Sequence, residues 1–504
     1  MPPISSIKQP LHAQVLANAE NVPLGNLFRR QFCLSRRKLR NMDGFIETKV
    51  DSFTLYSEKS LPIQELRAKG RGQRRYGLIL GYAVTGEPDS NAPELPGQST
   101  AQEFWGHVER LVYRLAGKYV VVCWHEGAIR VYGDATMALP VRFAADEMII
   151  GSTVNLCLSR ERIENTFISD NDIINSRASY AFGHTCDEKI KSLRVGHYLA
   201  LSDWSETRFW PKLGDFEEAP LSETGRIVDQ MATRLRRIVH RFIERYDCDL
   251  PLTGGNDSRN ILAAADGKLD QVRQFTTYNF HRPSRFDTIV ARKLAALRGV
   301  ELTVHNDVKE VRIRGRRRGL RRYQHATSGM GQTFSEFGDS IQSMEFVCDL
   351  KTTTVKDVVV LKGNVMEALR GAHWKRAQRH VAPNLPFHLK RCLFVPHKNF
   401  TPEFVEKWMP PYLTWREALP EDARDAAVDM GFIEHILPKW GSTYIGYGAR
   451  VYLNPFNDRQ LLSMCSNLNL QHRKNNGANQ DVLTALAPDL VDVPLARKLM
   501  QPRS

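Results

Sequence analysis

The stretch Asp249-Leu-Pro-Leu-Thr-Gly-Gly-Asn-Asp-Ser-Arg-Asn-Ile-Leu-Ala-Ala264 decides the fold. A short apolar strand runs into the turn Thr253-Gly254-Gly255-Asn256-Asp257-Ser258 and on into a helix. Successive glycines let backbone N–H groups converge and let an anion approach with no Cβ in the way. The helix that follows offers free N–H groups and the positive end of its dipole. The hydroxyls of Thr253 and Ser258 add donors. A carboxylate inside a phosphate loop repels the phosphate unless a cation lies between them, so Asp257 points to Mg²⁺. The reading is a phosphate-binding turn at the C-terminal end of a strand. The bland alternative is a Gly-Gly connection in which Asp257 or Ser258 caps the helix. Neither Gly-Lys-Ser/Thr nor GxGxxG is present, so the two commonest nucleotide loops do not fit.

Working outward, an amphipathic helix is expected from about Ser222 to Tyr246. Its apolar positions are Ile227, Met231, Leu235, Ile238, Val239 and Phe242, with Arg226, Arg234, Arg237 and Arg241 on the other face. Beyond the turn, strand (271–278), helix (285–297) and strand (301–305) alternate, and another strand is expected at 358–361. Such alternation implies a parallel sheet with covering helices, followed by a helical C-terminal part. Upstream the texture differs. Strands are expected at 45–50 and 52–56, a helix over Ala101–Leu115 ended by Gly117, and a hairpin of 119–124 with 129–132 around Glu126-Gly127. A further strand is expected at 148–150. This half reads as an α+β sandwich of antiparallel sheets. The expected organisation is a basic, unpatterned segment over 1–42, the antiparallel domain over 43–212 and the parallel-sheet domain over 213–504.

The chain has 504 residues, 42% of them hydrophobic and 25% charged, which is ordinary globular usage. Its 70 Lys and Arg exceed 56 Asp and Glu, for a formal charge of +14. That excess suits nucleic acid, an anionic membrane surface or anionic small molecules. No apolar run reaches the ~18 residues of a spanning helix. The eight cysteines form no CxxC pair and no zinc spacing, as in a reduced, cytoplasmic protein. Seven arginines fall within Arg312–Arg322. They read as a solvated loop, a lid over an anion, or a contact for an acidic partner or nucleic acid. His184, His197, His240 and His281 are isolated. His373-Trp374 reads as packing or as the wall of an acceptor pocket.

Thr253-Gly-Gly-Asn-Asp-Ser-Arg259 resembles the pyrophosphate loop, Ser-Gly-Gly-x-Asp-Ser, of the asparagine synthetase family of ATP pyrophosphatases. Phe275-Thr-Thr-Tyr278 is similar to that family's adenine-contacting strand. Asp287, Ala291 and Ala295 resemble its Asp-xxx-Ala helix, and Val359–Gly371 its second loop. Asn454-Pro-Phe-Asn-Asp458 is similar to its late Pro-Phe-Leu-Asp. In the N-terminal half, Leu115–Trp124, Gly133-Asp134, Gly151-Ser152 and Leu193–His197 resemble its glutaminase-like, Ntn-type domain. The likeness covers roughly 43–490. Three departures stand out. The family's N-terminal Cys has no counterpart, since residue 2 is Pro and the first Cys is Cys33. The second loop carries Met366 where the family has a metal-binding Asp and Gly363 where it has a Glu, while Glu367 and Gly371 remain. The family's late catalytic Lys has only Lys474 as a near match.

The resemblance implies ATP and Mg²⁺ as cofactors. Pyrophosphate would lie on Thr253, Gly254, Gly255, Asn256, Asp257 and Ser258, adenine near Thr276 and Tyr278, and the metal on Asp257. Asp257, Arg259, Glu367 and Lys474 are the implied catalytic residues. A small-molecule or peptide carboxylate would attack the α-phosphorus, and the acyl adenylate would pass to ammonia or a substrate amine, leaving AMP and pyrophosphate. Without the N-terminal thiol no glutamine hydrolysis is expected. A homodimer is a further expected assembly. The rival reading is a degenerate homologue that binds nucleotide, or acts through its basic surface.

Overall fold

The computed structural model describes residues 9–21, 23–67, 75–88, 100–167, 180–279, 282–305, 358–371, 373–374, 377–379, 383–393, 395, 397–438 and 450–500. The arginine run at 312–322 lies outside these residues. The chain is mixed α/β, with antiparallel sheets first and a parallel sheet after them.

The first sheet contains β1 (Phe32–Ser35), β2 (Phe45–Val50), β3 (Phe53–Glu58), β8 (Arg142–Ala144), β9 (Ile149–Gly151) and β10 (Lys191–Ser192). Its order is β10-β8-β9-β1-β3-β2. The second contains β4 (Ile63–Arg67), β5 (Arg75–Thr85), β6 (Leu115–His125), β7 (Ala128–Gly133), β11 (His197–Ala200) and β12 (Ser205–Arg208), ordered β12-β11-β7-β6-β5-β4. Residues of both sheets, such as Phe32 and Leu34 with Leu78, Val120 and Val131, share one core. β6 and β7 are joined at Glu126 and Gly127, both at positive φ, which matches a tight hairpin turn.

Two expectations need correction. Residues 1–42 are not simply a basic lead-in: helix His12–Glu20 packs in a small core of its own, and β1 is an interior strand of the first sheet. The apolar run Phe32-Cys-Leu34 drives this, and the flanking charges hid it. The thiol of Cys33 is fully buried there and is raised by that burial, away from any nucleophilic role. Gly117 does not end the helix Ala101–Arg114. It sits inside β6 at φ +122, where a Cβ would meet the Tyr82 carbonyl at 2.2 Å.

The third sheet consists of β13 (Cys248–Pro251), β14 (Gln274–Tyr278), β15 (Leu302–His305), β16 (Val358–Leu361) and β17 (Arg450–Leu453). All pairs are parallel, and the order is β15-β14-β13-β16-β17. The chain builds outward from β13 in one direction and then crosses to the other side. The switch point is therefore between β13 and β16, where ligands collect at the strand C-termini in open parallel sheets. The helix Thr224–Arg245 buries its apolar face against β5 and against the helices Asn256–Ala264 and Gly477–Leu486. Arg234, expected on its polar face, is buried between Asp458 (2.7 Å) and Glu87 (3.0 Å).

The segment 457–459 ties the two halves together. Asn457 Nδ2 donates to the Gly117 carbonyl (2.6 Å) and to Asp134 (2.9 Å). Fully buried Arg459 donates to the carbonyls of Val112 (3.0 Å) and Gly133 (2.7 Å) and to the Tyr119 hydroxyl (3.1 Å). Among the described residues no helix is long and apolar enough to cross a membrane.

Candidate functional site

Two loops meet at the switch point. The first, Thr253–Ser258, leaves β13 and opens the helix Asn256–Ala264, whose N-cap is Gly255. No side chain caps that helix, so the capping role considered for Asp257 and Ser258 is not the one they play. Ser258 Oγ instead accepts from the Thr253 N–H (3.1 Å) and pairs with Thr253 Oγ1 (2.7 Å), folding the loop on itself. The Gly254 N–H donates to Asp287 (2.8 Å), and its carbonyl accepts from Ala496 N–H (3.0 Å). A Cβ at Gly254 would lie 2.2 Å from that of Ala496, so glycine is required there by close approach.

The second loop, Lys362–Gly371, leaves β16. Gly363 packs so closely on the first loop that a Cβ would stand 2.6 Å from the backbone carbon of Asp257. That contact explains why no larger residue occupies 363. Val365 holds φ +77, a conformation that a β-branched residue rarely adopts. A short 3₁₀ turn, Met366–Arg370, follows. It buries Met366 fully and turns Glu367 toward the first loop. The position where the resemblance placed a metal-binding Asp is therefore apolar core.

Asp257 and Glu367 share a third group. Arg370 Nη2 lies 3.2 Å from Asp257 Oδ2 and 3.8 Å from Glu367 Oε1. The other oxygens, Asp257 Oδ1 and Glu367 Oε2, are buried and make no hydrogen bond. Asn479 approaches Asp257 without completing a good bond, since its Nδ2 is also unpaired. Burial raises the Asp257 carboxyl, opposed by Arg370 and Asn479. Burial also raises Glu367, and the negative charge of Asp257 pushes it further. One guanidinium thus faces two partly buried carboxylates, a charge balance that one further cation would complete. Mg²⁺ is typically held by one or two carboxylates plus substrate phosphates, so this pair fits it. Among the described residues no group of three His, Cys, Asp or Glu could hold a metal.

The other expected residues are placed as follows. Asn256 Nδ2 meets Asn476 Oδ1 at 3.4 Å, at the edge of the first loop. Thr276 is buried in β14, and its carbonyl accepts from Leu252 N–H. Tyr278 ends β14 and stacks on His305 (5.1 Å, 24°) at the same edge of the sheet as the first loop. Arg259 turns away. It is 1% exposed and donates to the carbonyls of Leu490 (3.1 Å) and Val493 (2.6 Å), tying the loop's helix to the C-terminal segment. A catalytic Arg259 is thus replaced by a positioning one, because its side chain leaves the helix on the core side. Lys474 reaches the Ala377 carbonyl (3.5 Å) and lies beside Gly371, on the second-loop side. His373 stacks on Phe432 (4.0 Å) and Trp374 is fully buried, so both pack. Arg370 escaped the sequence reading. Its one signal was the spacing Glu367-x-x-Arg370, which aligns the pair on a helical turn. Asn476 and Asn479 had no local signal.

No protein-family profile matches the chain, and neither does any curated protein.

Proposed function

We propose that the chain is an ATP-dependent carbon–nitrogen ligase of the asparagine synthetase type. On this reading it adenylates a carboxylate and passes the acyl group to ammonia or a substrate amine. The observation that carries it is the convergence of Thr253–Ser258 and Lys362–Gly371 at the switch point, with Asp257 and Glu367 drawn to one cation. A glycine turn alone is a common connection. A glycine turn locked by Gly363 against a second acidic loop, at that position of a parallel sheet, is what a nucleotide site needs.

In this reading the uncapped N–H groups at the start of Asn256–Ala264 and the hydroxyls of Thr253 and Ser258 receive the pyrophosphate oxygens. Tyr278 offers a stacking face for the base. Mg²⁺ at Asp257 and Glu367 supplies neutralisation of phosphate charge. Arg370, a third of whose side chain is exposed, can leave the carboxylates for the phosphate and then stabilise charge on the leaving pyrophosphate. Arg259 fixes the loop rather than touching substrate. The protein's contribution is positioning and electrostatics. Buried Cys33 leaves the nitrogen to come from ammonia or the substrate.

ATP–pyrophosphate exchange with a panel of carboxylates tests this. Exchange supported by at least one carboxylate is expected, with a loss of about 100-fold or more in Asp257→Ala. No ATP binding and no exchange with any carboxylate would sink it. A second reading, a degenerate nucleotide-binding or interaction protein, draws on the buried Met366 and on Asp287 already holding the Gly254 N–H. ATP binding with no exchange at all would favour it.

A further inference from the structure

Arg370 is paired in a manner unlike the arginines that hold the fold. Arg473 meets Asp429 through two nitrogens at 2.8 Å each, and Arg160 meets Asp187 in the same way at 2.8 Å each. Arg234 meets Asp458 at 2.8 and 2.7 Å. These are short, two-point contacts, the geometry of a fixed charged pair. Arg370 instead offers one nitrogen to two carboxylates. Its Nη2 lies 3.2 Å from Asp257 and 3.8 Å from Glu367. Both distances exceed the ~2.7–2.9 Å of a well-formed charged hydrogen bond. The side chain is 37% exposed, against 0% for Arg473 and 7% for Arg234. Its Nε makes no hydrogen bond among the described residues.

The base of this side chain is fixed. Arg370 ends the turn Met366–Arg370, three residues after Glu367. Gly371 follows at φ +52 and is backed by Leu470 and Lys474. The backbone is thus anchored and the head group is loosely held. It sits where the proposed metal would be drawn, between Asp257 and Glu367. A divalent ion attracted to that pair meets the guanidinium at close range and is repelled by it.

We propose that Arg370 is an internal competitor for the metal: it covers Asp257 and Glu367 when no nucleotide is present and is drawn off by the nucleotide's phosphates. The site would then bind free Mg²⁺ weakly and take it up together with the nucleotide. The metal and nucleotide are those of the ligase reading, on which this rests. A phosphate can accept two N–H bonds from one guanidinium, a better match than the two long contacts to the carboxylates. A ligand whose competent site is only partly available binds more weakly by that fraction. If Arg370 covers the carboxylates in about nine molecules of ten, free Mg²⁺ loses about tenfold in affinity.

Calorimetry on the full chain tests this with two probes, Mg²⁺ alone and ATP at saturating Mg²⁺. Arg370→Met keeps the apolar stem and removes the charge. It is expected to bind free Mg²⁺ about tenfold tighter than the unaltered protein, and ATP about tenfold weaker. Arg370→Lys, which keeps the charge, should stay near the unaltered protein for free Mg²⁺. Adding Glu367→Gln to Arg370→Met should remove the gain. A folding defect weakens both ligands and does not produce opposite signs. Unchanged or weaker Mg²⁺ binding in Arg370→Met overturns the proposal, as does Mg²⁺ binding by neither protein. If ATP still binds the unaltered protein in those cases, the ligase reading survives the loss. Tighter Mg²⁺ in Arg370→Met with no ATP binding by the unaltered protein upholds the competition and sinks the ligase reading, and with it the release by nucleotide.

Discussion

At the scale of single residues, the carboxylates at the switch point carry an electrostatic cost until a cation joins them. The folded-state pKa of Glu367 is raised by burial and by Asp257, so the native state holds this proton to higher pH than the unfolded chain. The associated stability is therefore fullest below the ordinary carboxylate range and is lost as pH rises through the raised value. Glu367→Gln is expected to raise the unfolding temperature at about pH 8 in the absence of nucleotide and metal, with the gain gone near pH 4. Thermal melts across that range check it. Mg²⁺ with ATP should raise the Tm of the unaltered protein and do so less for the variant. Gly363→Ala addresses the neighbouring contact. Its Cβ would stand 2.6 Å from the Asp257 backbone, so the loops must part at a cost of about 1–3 kcal/mol. Denaturant melts measure that, and exchange activity should fall with it.

Among elements, the second loop depends on a helix far along the chain. Arg473 is fully buried and donates to the Ala368 carbonyl (2.6 Å) while pairing with Asp429 through both nitrogens (2.8 Å each). Burial alone would raise the Asp429 carboxyl, but Arg473 overrides it and holds it below its ordinary value. Removing one partner leaves the other charge buried alone, which costs about 3–5 kcal/mol. Arg473→Met is thus expected to destabilise by that amount and to loosen Glu367, and Asp429→Asn less severely. Chemical denaturation, with limited proteolysis of the 362–371 loop, reads both effects. Strained Val365 has a related meaning. Such a conformation costs roughly 1–3 kcal/mol and persists only where its surroundings enforce it, here between Gly363 and buried Met366.

In the whole molecule, the two halves are joined by a buried polar seam, not by apolar contact alone. Asn457 and Arg459 donate to the carbonyls of Gly117, Val112 and Gly133, to Asp134 and to the Tyr119 hydroxyl. Arg459→Ala removes the bonds to Val112, Tyr119 and Gly133 at once and leaves the Val112 and Gly133 carbonyls without that donor. The expected outcome is that one calorimetric unfolding peak becomes two, as the halves uncouple; a single unshifted peak would contradict it. The charge excess also looks different at this scale. Arg30 is buried, with its backbone N–H bonded to Glu58 (2.7 Å). Part of the 29–40 cluster is therefore structural and not a free basic tail.

The sequence by itself determined the parallel sheet, the antiparallel half and the loop that starts at Thr253. These rest on local periodicity and on glycine spacing, which neighbouring residues settle among themselves. The helix over Thr224–Arg245 and the hairpin of β6 and β7 were legible for that reason. The tertiary structure alone decided which polar side chains face the switch point. Arg259 read as a site residue from its place beside the loop, yet the helix aims it at carbonyls 231 and 234 residues away. Arg370 and Asn479 joined Asp257 from distant segments that share no pattern with it. β1 was masked by its charged flanks, because short-range pattern cannot report which strand lies at the centre of a sheet. Side-chain direction and long-range pairing are set by burial over the whole chain, and local spacing carries no record of them.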